Sequence, residues 1–147
     1  MIPATEQRSL ASPFRRLLLT DYYDGAKAGL AVDVSGQMYL FELLDWDDLN
    51  HIRVFRVSII PGTNWREVEM AFAGGAPSEW TEWVLPPVLP HAAEDVLRHA
   101  EASARLVAIV GTSDLLGTID VWRPVNEIEP ERTTPDWLGR LGLPRRI

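Results

Sequence analysis

Hydrophobic and polar positions alternate over much of the first sixty residues, with the two-residue period of half-buried strands. Phe14 to Tyr22 sets Leu17 and Leu19 on one face and Leu18 on the other, and Asp24-Gly25 ends the run. Residues 30–34 and 38–44 flank Ser35-Gly36, a two-residue turn that predicts a hairpin. Pairing Val34 with Gln37 places Val32 opposite Tyr39 and Leu30 opposite Phe41. Leu30, Val32, Tyr39, Phe41 and Leu43 then share one core face. The polar run from Asp45 to His51 reads as a loop. Ile52 to Ile60, rich in β-branched residues, reads as the next strand, stopped by Pro61-Gly62. Short links make an antiparallel meander the simplest arrangement of these four strands.

Beyond Gly62 the period lengthens to that of helices. Thr63 or Asn64 caps a short helix with Glu67 in its first turn, and Trp65, Val68 and Phe72 give its inner stripe. Residues 76–90 hold Trp80, Trp83 and four prolines, an extended passage. Pro90 opens the longest helix, running to about residue 105, with Ala93, Val96, Leu97, Ala100 and Ala104 inward. Residues 106–111 and 118–122 are two further strands. These elements predict an α+β fold: an antiparallel sheet of about four to six strands, with one long and one or two short helices on one face. Residues 1–13 read as a loose lead-in, 14–123 as one globular domain, and 124–147 as a proline-rich tail with a short helix at Thr134-Pro135-Asp136-Trp137-Leu138.

Composition narrows the chemistry. With 147 residues, the chain buries about two-thirds of its surface on folding, enough for a core without staples. The absence of cysteine removes disulfides, thiol nucleophiles and thiolate metal sites. A net charge of −7 argues against nucleic acid as the main partner. No apolar run approaches the ~20 residues that span a bilayer, and no secretory leader pattern opens the chain. A bacterial cytoplasm is the expected setting. Lys27 is the only lysine beside thirteen arginines, which a GC-rich codon bias accounts for. Most of the six tryptophans are expected in the core, and one or two at a surface that binds something.

Several constellations invite a chemical reading, and each has a plainer one. Asp45, Asp47, Asp48 and His51 crowd one loop but lack the spacing of a calcium loop, so a solvated turn or an acidic partner-facing knob fits them better than a metal site. His91, Asp95 and His99 lie on one helical stripe, yet the first and last are ~12 Å apart along the axis and cannot share an ion. Gly111-Thr112-Ser113-Asp114 is neither a nucleophile elbow nor a phosphate loop, and Thr112 or Ser113 reads as a cap. Asp21, Asp24, Glu42, Asp45 and His51 could gather at one sheet end for acid–base work, if their pKa values were split by burial. No cofactor and no metal are expected.

Tyr23-Asp24-Gly25, the gap to Gly29, the strand Tyr39-x-Phe41-Glu42 and the strand Arg53-x-Phe55 resemble a group of small bacterial proteins that read Tyr-Asp-Gly-Pro near their start. Ala26 stands here in place of that proline. The resemblance spans residues 20–61. It implies a bacterial origin, and since that group has no established activity it implies no mechanism.

Three function classes remain. The first is a non-catalytic protein that recognises a protein partner through Asp45, Trp46, Asp47, Asp48, Trp80, Trp83 and Trp137. An immunity-type neutraliser of a basic toxin is its most concrete form, since opposite charge speeds capture. The second is a small hydrolase-like or metal-assisted enzyme built on the acidic cluster. Its signature would be a concave pocket lined by at least three of Asp21, Asp24, Glu42, Asp45 and His51. The third is a structural homodimer, joined through a sheet edge or through Trp80, Trp83 and Trp137.

Overall fold

A computed structural model of the chain describes residues 5–23, 25–47, 49–72, 81–84 and 89–125. The strands are β1 (Gln7–Ala11), β2 (Phe14–Tyr22), β3 (Ala26–Asp33), β4 (Met38–Asp47), β5 (Ile52–Ile60), β6 (Glu82–Val84), β7 (Arg105–Thr112) and β8 (Thr118–Pro124). Two helices accompany them, α1 (Trp65–Phe72) and α2 (His91–Ser103). All eight strands belong to one sheet in the order β1-β8-β7-β5-β4-β3-β2-β6. Every neighbouring pair is antiparallel except β2 and β6, which run parallel.

This order forces the sheet to curl. β1 and β2 are separated by only two residues, a reach of about 10 Å, yet five strands lie between them in the sheet. The start of β2 is therefore brought back beside β1 at the Ser12-Pro13 corner, and the sheet curls like a barrel, with β6 continuing past β2. Ring contacts across the interior record the closure: Phe14 on β2 lies 5.2 Å from Tyr39 and 6.0 Å from Trp122 on β8. Ser12 locks the corner. Its N–H donates to Gly117 O at 2.8 Å, its hydroxyl donates to Leu115 O, and it accepts the Phe14 N–H at 3.1 Å.

The inner face is apolar, with Leu17, Leu19, Phe41, Phe55, Val57, Val110, Ile119 and Trp122 packed together. Outside, α1 and α2 lay Val68, Ala93 and Ala100 over Leu18, Leu30, Val32, Met38 and Ile60. A smaller outer cluster joins Val54, Ile109 and Val121. Because both faces of the central strands are covered, residues 52–60 carry apolar side chains on both faces, Phe55 and Val57 inward and Val54 and Ile60 outward.

The expectation of four to six strands and one long helix is corrected by this sheet of eight, which dominates the molecule. Its helices are short, of eight and thirteen residues. Residues 7–11 of the expected lead-in form β1, and Asp45 to Asp47 of the expected loop extend β4 past a bulge at Leu44. The meander of β2 to β5, the two later strands and both helix sites agree with the pattern. At α1 the expected cap is Asn64, which accepts the Glu67 N–H at 2.9 Å while Glu67 accepts the Asn64 N–H at 3.2 Å.

The β3–β4 register differs by one residue from the one the turn predicts. Asp33, not Val34, faces Gln37, and Ala31 pairs with Tyr39. The turn thus holds three residues, with Gly36 at φ +91°. Asp33 imposes this. Its Oδ1 accepts the Ser35 N–H, the Ser35 hydroxyl and the Gln37 N–H at 2.7–3.0 Å, and its Oδ2 accepts the Tyr39 hydroxyl at 2.8 Å. A one-residue slip exchanges faces. Tyr39 and Phe41 accordingly point inward, while Leu30 and Val32 point outward beneath the helices. Burial works against the Asp33 charge, but these hydrogen bonds outweigh it and hold the carboxyl well below the usual carboxylate range. Burial, and then the hydrogen bond and charge of Asp33, push the Tyr39 phenol up.

Among the described residues no helix is long and apolar enough to cross a membrane. The tail from residue 126, with its expected helix and Trp137, lies outside the described residues, as do Trp80, Asp24 and Asp48.

Candidate functional site

At one end of the curl the β2–β3 turn, the β4–β5 turn and the β7–β8 loop converge around a cleft of about 470 Å³. Leu17, Phe55 and Leu115 line its apolar part. Tyr22 and Trp46 line it as aromatics, and Asp47, His51, Arg53, Glu82, Thr112, Ser113 and Asp114 supply the polar groups.

Each wall is built by local hydrogen bonding. Arg53 sits on β5 two residues before Phe55, an inward position by the strand's alternation, and pairs with Trp46 on one side and Thr112 on the other. Its guanidinium donates to Ala26 O at 3.0 Å and Tyr23 O at 3.1 Å, tying the β2–β3 turn to β5. Gly25, at φ +135°, makes room: a Cβ there would stand 3.1 Å from the Arg53 Cζ. In the β4–β5 turn Asp47 accepts the Leu49 and Asn50 N–H groups at 3.0 and 3.3 Å, and the Asn50 amide at 2.7 Å. His51 closes this turn at φ +58°, a left-handed conformation that glycine or asparagine adopts at less cost. In the β7–β8 loop the buried Thr112 hydroxyl accepts the Asp114 N–H at 2.8 Å and lies 2.7 Å from Thr118 O, while Asp114 accepts the Leu116 N–H at 2.9 Å.

Of the five residues proposed for acid–base work, the four that are described do not converge on this cleft. Asp21 and Glu42 both pair with Ala28, on either side of it, and face outward. There Asp21 lies 3.6 Å from Lys27 and Glu42 lies 3.9 Å from Arg56. Asp45 accepts the Trp46 N–H at 2.8 Å and does not line the cleft. Asp24 is outside the described residues. His51 is the one member that lines the cleft among those described. Among the described residues no group of three or more His, Asp or Glu side chains has the arrangement of a metal site, and on α2 Asp95 pairs with Arg98 at 2.7 Å.

The partner-facing residues divide as well. Trp46 and Asp47 line the cleft, with Trp46 44 % exposed. Trp83 packs half-buried against the outer cluster beneath the helices. Sequence reasoning missed Glu82, Asp114 and the inward role of Arg53. Only Arg53 carried a signal, as a charged residue on the same face of its strand as Phe55 and Val57. Comparison with protein-family models, with curated proteins and with solved structures returns no match for this chain.

Proposed function

We propose that this chain is a non-catalytic binding protein that receives a basic protein partner at the cleft end of the curled sheet. One observation carries the reading: an apolar and aromatic surface is concentrated there. Of the seven large hydrophobic side chains exposed among the described residues, four, Tyr22, Tyr23, Trp46 and Leu49, belong to the two turns bordering the cleft. Exposed aromatics gathered beside a concavity are the usual composition of an interface centre. Carboxylates at Asp47, Glu82 and Asp114, together with the chain's charge of −7, suit a partner of opposite charge. Hydrogen bonds from Arg53 to Tyr23 O and Ala26 O, and to Asp47 from Leu49 and Asn50, hold parts of this surface in place and lower the cost of ordering it on binding. An immunity-type role in a bacterial cytoplasm, neutralising a basic toxin, is the concrete form of this proposal.

Catalysis is less well supported by the same surface. Among the described residues Ser113 and His51 share no hydrogen bond, and Asp47, Glu82 and Asp114 come from three separate segments of the chain.

The test is affinity capture from the native host with the full chain and with the double variant Tyr22→Ala, Trp46→Ala, both of whose sites are exposed. The expected result is a basic protein recovered in near-stoichiometric amount by the unmodified chain, lost with the variant, and held less tightly as salt rises. Equal recovery by both proteins, or capture insensitive to salt, would overturn the proposal.

A further inference from the structure

The cleft is too small to receive a folded element and large enough to admit a long side chain or a small organic ion. We infer that it is a socket for the alkyl-cation side chain of an arginine or lysine, offered by the partner. This deepens the binding function proposed above and rests on it.

Three properties of the cavity agree on that occupant. Phe55 and Leu115 give it apolar lining against which the methylene stem of a long basic side chain can lie. Trp46 and Tyr22 border its opening, 44 % and 53 % exposed, and indole is the best of the aromatic rings for holding a cation. Three carboxylates, Asp47, Glu82 and Asp114, face one guanidinium, that of Arg53, so the formal balance of the described lining is negative. Arg53 also has a structural task, since two of its donors hold the carbonyls of Tyr23 and Ala26 in the wall. A purely apolar guest would desolvate the carboxylates and bring no charge of its own, and an anion would meet three like charges. A guanidinium or ammonium on an apolar stem suits the apolar, aromatic and acidic parts of the lining together.

The inference is tested on the full chain with N-acetyl-arginine methylamide, its neutral isostere N-acetyl-citrulline methylamide, and the anionic N-acetyl-glutamate methylamide. Binding is read by titration calorimetry and by the shift of the Trp46 indole N–H resonance, assigned from its absence in Trp46→Ala. The arginine probe is expected to bind at millimolar strength and to shift that resonance. The citrulline probe should bind about tenfold more weakly, and Trp46→Ala and Glu82→Gln should each weaken the arginine probe about fivefold. Both variant positions are exposed, so folding is retained. Equal binding of arginine and citrulline, preference for the glutamate probe through Arg53, or binding unchanged in both variants would overturn the socket.

The two failures are separable. Partner capture that depends on Trp46, with no response to the arginine probe, removes the socket and leaves the binding function. A specific arginine response without any captured protein removes the protein partner and leaves a cation site.

Discussion

Asp33 shows how one side chain settles the fate of its neighbours. It is 3 % exposed and ionised, and four hydrogen bonds from Ser35, Gln37 and Tyr39 satisfy it. Its carboxyl is held below the usual range when folded, whereas an unfolded aspartate titrates near pH 3.9. The folded state therefore binds fewer protons than the unfolded state in acid. The contribution of Asp33 is complete above about pH 5 and declines as pH falls through 4 and below. Asp33→Asn, which cannot accept all four donors, is expected to lose about 2 kcal/mol at pH 7. Urea unfolding at pH 7 and pH 3 checks this, because the gap between variant and parent should narrow in acid. An unchanged gap would mean that the carboxylate's charge does not matter there. Gly29 is the second residue with an outsized role. A Cβ on it would lie 2.1 Å from Leu18 O, a clash with backbone that no rotamer relieves. Gly29→Ala should cost about 3 kcal/mol, seen as a lowered urea midpoint.

At the scale of elements, the β4–β5 hairpin sets stability against use. His51 holds φ +58° at the close of its turn, where glycine avoids the steric penalty of a Cβ. His51→Gly should therefore raise stability by about 0.5 kcal/mol. If the imidazole serves the cleft it lines, the same variant should bind the arginine probe or the captured partner less well. Thermal unfolding beside a binding titration separates the two effects; a variant neither more stable nor weaker in binding contradicts the reading of the turn. This hairpin also shows what a sequence can reveal. The β-branched run of residues 52–60 announced β5, and Asn64 with Glu67 announced the start of α1, because strand period and capping chemistry are local. The β3–β4 register was not legible from Ser35-Gly36, since a side chain outside that dipeptide, Asp33, adds a third residue to the turn. Trp46 and Asp47 were legible as a surface pair, while Glu82 and Asp114 were not. Those two come to the cleft from remote segments, and no local pattern records that meeting.

For the whole molecule, the decisive feature is closure of the sheet at the Ser12 corner. Nothing in the period of residues 7–11 indicates that they pair with β8, because the partner strand begins over a hundred residues later. Closure sets Phe14 against Trp122 and turns a meander into an enclosed core. It also anchors Leu115, whose carbonyl takes the Ser12 hydroxyl and whose side chain lines the cleft. Ser12→Ala leaves Leu115 O and the Phe14 N–H without this shared partner in a buried place, an expected loss of about 2 kcal/mol. Because the bond ties the β1–β2 corner to the β7–β8 loop, the loss should be local. Amide exchange should quicken in β1 and β8, at Arg8, Leu10 and Ile119, while Leu30 and Leu40 at the sheet's centre keep their protection. Binding at the cleft should weaken in the same variant, since Leu115 loses its tether. Uniform acceleration across all strands would instead show that the corner is part of one cooperative unit, and that the cleft cannot be loosened without loosening the barrel.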